Sequence, residues 1–139
     1  MTRSLAEVGL SVKRLQMHHH RSANAALAPL DISIVQWDAL RHLSQNPDAS
    51  LHDLAQLTFQ TDQSFGTLAG RLLDRGLIER VPGPGRAVRH RLTPHGEQVR
   101  EAGQALLNEV LERTFRVLGP SELEIFDGFL LRLLNGTGA

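Results

Sequence analysis

The 139-residue chain has no cysteine, which excludes a disulfide framework, a thiolate metal site and thiol-based redox sensing. No apolar run approaches the roughly 20 residues needed to span a bilayer. Its opening, MTRSLAEVGLSVKRLQ, sets charges inside the apolar pattern and offers no small-residue cleavage site, so it does not read as a signal peptide. Also missing are a nucleophile elbow, a P-loop, a dinucleotide glycine fingerprint and an HExxH pair. The GPG stretch is a turn, not a phosphate cradle. There are no internal repeats and no low-complexity linkers. The expectation is one soluble, cytoplasmic, non-enzymatic domain without a cofactor, long enough to bury a real core unaided.

Net charge is lacking too, since 15 basic residues balance 15 acidic ones. The distribution is uneven. Residues 50–100 carry seven Arg against five acids, and residues 101–139 carry three Arg against six. From Arg80 to Arg91, both included, there are four Arg and no acid. Concentrated positive charge of this kind suits phosphates.

Apolar spacing predicts a long helix over 4–28, where Leu5, Val8, Val12, Leu15, His19, Ser22 and Ala26 recur at steps of three and four. Pro29 ends it. Ser33 with Gln36 has capping-box spacing for a second helix, with Ile34, Trp37, Leu40 and Leu43 inward. Asn46-Pro47-Asp48 closes that helix as a turn. Ser50 with Asp53 repeats the start signal for a short third helix. After a turn at Phe59-Gln60, a fourth helix is expected from about Thr61 to Arg75. Gly76 fits its C′ position.

Strands are expected over Leu77–Val81 and Ala87–Leu92, joined by a PGPG turn. Thr93-Pro94 starts a fifth helix running to about Leu118. Gly119-Pro120 stops it, and Ser121 with Glu124 is read as the cap of a sixth, Leu- and Phe-rich helix. The fold class is therefore mainly α with a small β-ribbon, a helix-turn-helix followed by a wing between long terminal helices. The apolar faces of the first, fifth and last helices exceed what one small core can cover. A homodimer with interlocking terminal helices disposes of that surface.

The outward face of the fourth helix carries Gln63, Ser64, Gly66, Thr67, Gly70 and Arg71, with no outward acid expected before Asp74. Gln, Ser, Thr and Arg can reach base edges and phosphates, and the two glycines let a backbone approach a groove at about 1 kcal/mol each in helix stability. At the wing tip, Arg86 is placed to reach phosphates or a minor groove, with Arg89, a further DNA-binding candidate, and Arg91 nearer the strands.

Taken in order, several strings resemble the MarR family of bacterial transcription regulators. They are Ser33-x-x-Gln36-Trp37-x-x-Leu40, Leu54-Ala55, Leu72-x-x-Arg75-Gly76-Leu77-Ile78-Glu79-Arg80, Arg86-Ala87-Val88, Leu92-Thr93-x-x-Gly96 and Leu118-x-x-Ser121-Glu122. The resemblance covers nearly the whole chain. It implies a homodimer that binds double-stranded DNA at a pseudo-palindromic operator, usually as a repressor, with a small-molecule effector bound between the dimerisation helices and the DNA-binding lobe. Residues 4–28 and 94–135 would be the dimerisation helices and 33–93 the winged lobe. By that correspondence Gln63, Ser64, Thr67 and Arg71 face the DNA, and Arg86 is the wing arginine. The chain departs from the family pattern twice: PGPG stands where an Asp commonly precedes the wing arginine, and Thr67 stands where an Arg is usual.

His18, His19, His20, His42 and His52 lie outside the wing. Imidazole clusters can bind zinc or haem. Three consecutive helical residues point about 100° apart, however, and cannot all ligate one ion. No metal site is assigned, and His19 is expected to be partly buried near a ligand pocket. Trp37 is a second pocket candidate, though a core role suits it better. Two rival readings remain at this level: a winged-helix protein-interaction module without DNA binding, and a metal- or haem-responsive sensor.

Overall fold

A computed structural model describes residues 2–85 and 87–138 of the chain. Helix α1 spans Leu5–Leu27 and is capped by Ser4, whose hydroxyl accepts from the Glu7 N–H at 3.1 Å. Pro29 falls in a single 3-10 turn, Ala28–Leu30, that closes α1 as the sequence predicts. Helix α2, Ile34–Gln45, begins with the full capping box: the Gln36 N–H donates to Ser33 Oγ and the Ser33 N–H donates to Gln36 Oε1. Asn24 of α1 supplies the next partner. Its Oδ1 accepts from the Ile34 N–H at 2.8 Å, satisfying a donor that the first turn of α2 leaves free.

Helix α3, Leu51–Leu57, carries the second capping box, Ser50 with Asp53. The Ser50 backbone and side-chain hydrogen bonds, followed by the charges of His52 and Arg89, hold the Asp53 carboxyl below its ordinary value. Helix α4 is Asp62–Asp74, with Thr61 as N-cap accepting from the Ser64 N–H. The turn between α3 and α4 passes through Phe59 at φ 57°, a left-handed conformation costly for a bulky side chain. Gly76 ends α4 at φ 69°, where a Cβ would be strained.

Strands β1, Ile78–Pro82, and β2, Val88–Leu92, form one antiparallel ribbon with Ile78 opposite Leu92 and Arg80 opposite His90. Helix α5 spans Pro94–Phe115, with Thr93 as N-cap and Pro94 at N1. Thr93 also ties the wing base to α4, its hydroxyl donating to the Gly76 carbonyl at 2.6 Å. The glycine of the LTxxG string has a steric cause. A Cβ on Gly96 would lie 1.9 Å from the Leu77 carbonyl oxygen, so only glycine lets α5 meet the wing base here.

Most ends shift by a single residue, and Pro82 of the PGPG stretch is the last residue of β1, paired with Val88, instead of part of the turn. Two further boundaries differ from expectation. Helix α5 ends at Phe115, not at about Leu118, because residues 116–118 form a turn. Helix α6, Pro120–Gly136, is capped at Gly119 rather than at Ser121. Proline at N1 fixes the start, and Glu122, not Glu124, reaches back to accept the Gly119 N–H at 2.8 Å.

One core joins the lobe to the long helices. Leu27, Leu40, Leu54, Phe65, Leu72 and Leu77 are almost wholly enclosed, each contributing roughly 1.5–3 kcal/mol of burial free energy. The inward face expected for the second helix is observed, except that Ile34 is only half-buried; on α4, Phe65, Leu68, Ala69 and Leu72 are buried and Leu73 half-buried. By contrast α6 has no buried residue, and Leu5, Val8, Val12 and Leu15 of α1 are exposed.

Candidate nucleic-acid interface

Helix α4 is held by its apolar side, where Phe65, Leu68, Ala69 and Leu72 enter the core. That anchoring fixes which residues face out. Gln63, Ser64, Thr67 and Arg71 are all exposed, on one continuous side, and Gly66 and Gly70 between them are half-exposed. The Thr67 hydroxyl donates to the Gln63 carbonyl at 3.1 Å, which orients it while leaving its acceptor lone pairs available. No heavy atom lies within 4 Å of where a Cβ would stand on Gly66 or Gly70, apart from the helix's own backbone and their chain neighbours. The face is open, polar and shallow.

One residue on this surface was missed by the sequence reading. Asp62, the first residue of α4, is an exposed acid twelve positions before Asp74, so the polar face is not free of acid as expected. It is paired across the turn: His52 Nδ1 of α3 lies 2.8 and 3.0 Å from the two Asp62 carboxylate oxygens. An acid at N1 is favoured by the helix dipole, a signal that the apolar period of the helix does not carry.

The ribbon places its residues unequally. Arg80 and Arg91 are exposed, and Arg91 Nε donates to Glu79 Oε1 at 2.6 Å across the strands. Arg89 is half-buried, its Nε–H donating to the Asp48 carbonyl at 2.9 Å and Nη1 to the Val88 carbonyl at 3.3 Å. Arg86, the wing-tip candidate, lies outside the described residues. His90 was not singled out from the sequence, yet it is 5% exposed and points into the lobe. Burial, then the charge of Arg80 opposite it, lowers its pKa below the ordinary 6.5.

The pocket candidates separate. His19 is half-buried on α1, while the cleft at this stretch is lined by Gln16, Met17, His20 and Arg21. Trp37 is a core residue: its indole N–H donates to the Arg100 carbonyl at 3.0 Å, and a Cβ on Gly103 would fall 2.5 Å from its Cδ1. Arg41 covers the ring with its guanidinium carbon 5.8 Å from the centroid. At the α1–α2 junction a cleft of about 310 Å³ is lined by Asn24, Ala28, Asp31, Ile32, Ser33 and Gln36. Among the described residues no three His, Asp or Glu side chains are grouped to hold a metal ion. Nor is any helix of the described residues long and apolar enough to cross a membrane.

A short helix, a tight turn, an anchored second helix with an open polar side and a two-stranded ribbon define a winged helix-turn-helix protein. A model of the MarR family matches residues 30–87, from the turn after α1 through β1 to the residue before β2. The HTH-type transcriptional repressor Rv2887 of Mycobacterium tuberculosis is 28% identical over 122 residues, 86% of this chain and 88% of that protein. The structure of Rv2887 in complex with salicylic acid superposes with a TM-score of 0.76 at 26% identity, covering 95% of this chain and 97% of that one. Escherichia coli MarR complexed with operator DNA shares the fold at a TM-score of 0.84 and 21% identity, over 96% and 99% of the two chains. The chain is thus similar to the MarR family in its winged lobe and to a transcriptional repressor over most of its length.

Proposed function

We propose that the protein is a homodimeric, sequence-specific DNA-binding repressor of a pseudo-palindromic operator, released by a small-molecule effector and acting in the cytoplasm. The observation that carries this reading is the open face of α4, with Gln63, Ser64, Thr67 and Arg71 exposed above an anchored apolar side. Gln63 suits an adenine edge, Ser64 and Thr67 either base or phosphate, and Arg71 a guanine edge or a phosphate. Arg86 at the wing tip adds a phosphate or minor-groove contact. Arg89 stands apart from this set, because its Nε–H is already engaged by the Asp48 carbonyl.

Dimerisation through residues 4–28 and 94–135 accounts for the unpartnered helices. The chain exposes 9690 Å², about 2,500 Å² more than the roughly 7,200 Å² expected of a compact monomer of 15.4 kDa. That excess is in the range an obligate dimer buries. The lobes, residues 33–93, would then present two α4 helices to successive major grooves about 34 Å apart. An effector seated between lobe and terminal helices would favour another lobe spacing and shift the population away from the DNA-bound form. The salicylic acid complex of Rv2887 supports an effector of this kind.

The test is a salt titration of binding to DNA from the gene's upstream region beside a scrambled duplex. Tight selective binding with a steep salt slope is expected, and Arg86→Ala should lower the slope by about 0.9 for one lost phosphate contact. Gln63→Ala and Thr67→Ala should instead relax sequence preference. Weak binding, equal for both duplexes, would replace this reading with a protein-interaction module.

A further inference from the structure

The wing is built with an internal tie that its sequence does not announce. Arg89 sits in β2 opposite Val81. Instead of extending into solvent, its guanidinium turns to the connection between α2 and α3, where Nε–H donates to the Asp48 carbonyl at 2.9 Å, a span of 41 residues in sequence. Nη1 donates to the Val88 carbonyl at 3.3 Å, closing the side chain back on its own strand. Asp48 lies two residues before Ser50, the N-cap of α3. The Asp53 carboxyl of that capping box is itself lowered in part by the Arg89 charge, so the guanidinium stands close to the start of α3.

The turn makes room for this path. A Cβ on Gly83 would fall 2.9 Å from Arg89 Cγ and 2.9 Å from the Ala87 carbonyl oxygen. The Gly83 N–H donates to that same carbonyl at 2.8 Å, and the Ala87 N–H donates to the Pro84 carbonyl at 3.1 Å. The first glycine of PGPG is therefore required by the arginine stem that passes it, and the tip closes on its own backbone around the two.

We infer that Arg89 is a positioning residue: with Gly83 it latches the wing to the turn before α3, fixing the height of the wing tip relative to α4. It acts through the tip and is not itself a phosphate ligand. The hydrogen bond to a backbone carbonyl is charge-assisted and directional, so it holds an angle that a flexible ammonium would not. This does what a carboxylate before the wing arginine could do, in a chain that has PGPG there. The role in DNA binding rests on the function proposed above, but the latch itself is a property of the free protein.

The experiment compares Arg89→Lys, Arg89→Ala and Gly83→Ala in the full chain, reading backbone amide exchange across residues 83–91 without DNA and then operator affinity. As a latch, both Arg89 variants raise wing exchange roughly tenfold, the smaller end for a lost charge-assisted hydrogen bond. Both also weaken the operator complex to a similar degree. Gly83→Ala, which keeps the arginine but blocks its path, raises wing exchange as well. If Arg89→Lys matches the wild type in exchange and affinity while only Arg89→Ala binds more weakly, Arg89 is a charge contact and the latch is refuted. Wild-type wing exchange in Gly83→Ala refutes it equally. Failure of the wild type to prefer operator over scrambled DNA would sink the DNA reading alone, since the exchange measurement still decides the latch.

Discussion

Gly66 and Gly70 test the proposed interface because stability and binding should move in opposite directions. Each sits in the interior of α4, where glycine is less favourable than alanine by about 0.8–1.0 kcal/mol. A Cβ at either position meets no neighbouring atom within 4 Å in the free protein, so no clash offsets the gain. Gly66→Ala with Gly70→Ala should therefore stabilise each chain by about 2 kcal/mol. With an unfolding entropy of about 2.1 cal/mol/K per residue over 139 residues, that corresponds to a rise of about 7 °C in Tm at fixed protomer concentration. If α4 enters a groove along this face, the two methyl groups take the space of base edges or sugars. Operator affinity should then fall roughly tenfold or more, in line with about 1–3 kcal/mol for overpacking a fitted surface. Thermal melts and fluorescence anisotropy on one preparation give both numbers. A stabilised double variant that binds operator as tightly as the wild type would refute groove entry by this face.

Other substitutions probe the supporting structure. Gly96→Ala should destabilise by about 1–3 kcal/mol despite its better helix propensity, because the added Cβ meets the Leu77 carbonyl at 1.9 Å; a urea midpoint at or above the wild-type value would contradict that close approach. His90 holds its proton less well folded than unfolded. Its contribution is thus complete above pH 6.5 and declines as acidification charges the unfolded chain first, levelling off below the folded value. The stability difference between wild type and His90→Gln should shrink as pH falls below 6.5, and a difference independent of pH would show that His90 is not the group responsible. Asp62→Asn should raise binding to scrambled DNA by several fold, since it removes an exposed negative charge at the start of α4. Unchanged scrambled binding would place Asp62 away from phosphates.

The legible part of this protein is local. Ser33 with Gln36 and Ser50 with Asp53 announce α2 and α3 through reciprocal hydrogen bonds that span three residues, and Thr93-Pro94 announces α5 by a one-way cap, Thr93 Oγ1 accepting from the Gly96 N–H, followed by proline at N1. Gly76 is legible because a left-handed C′ position excludes most other residues. The outward set Gln63, Ser64, Thr67 and Arg71 follows from the apolar period of α4 alone. The α6 cap misled because Ser121 and Glu124 have the right spacing, yet a proline at N1 commits the chain two residues earlier and recruits Glu122. What stayed hidden is tertiary. Arg89 meets a backbone carbonyl, and a carbonyl leaves no mark in the sequence of its residue. The burial of His90 depends on which face of the ribbon the lobe covers, and a five-residue strand with three basic residues carries no apolar alternation to say so. Gly83 reads as turn chemistry although its neighbour across the hairpin demands it.

Helix α6 has no buried residue of its own, and this governs more than assembly. A chain whose last helix finds its core only in a second copy couples its folding to its own abundance. In the dimer proposed above, scarce protomers would leave the terminal helices uncovered and the two α4 helices out of register for one operator. As protomers accumulate, operator-competent species would grow as the square of their number until pairing saturates. Occupancy of the operator would then respond to expression level as a threshold, before any effector is present.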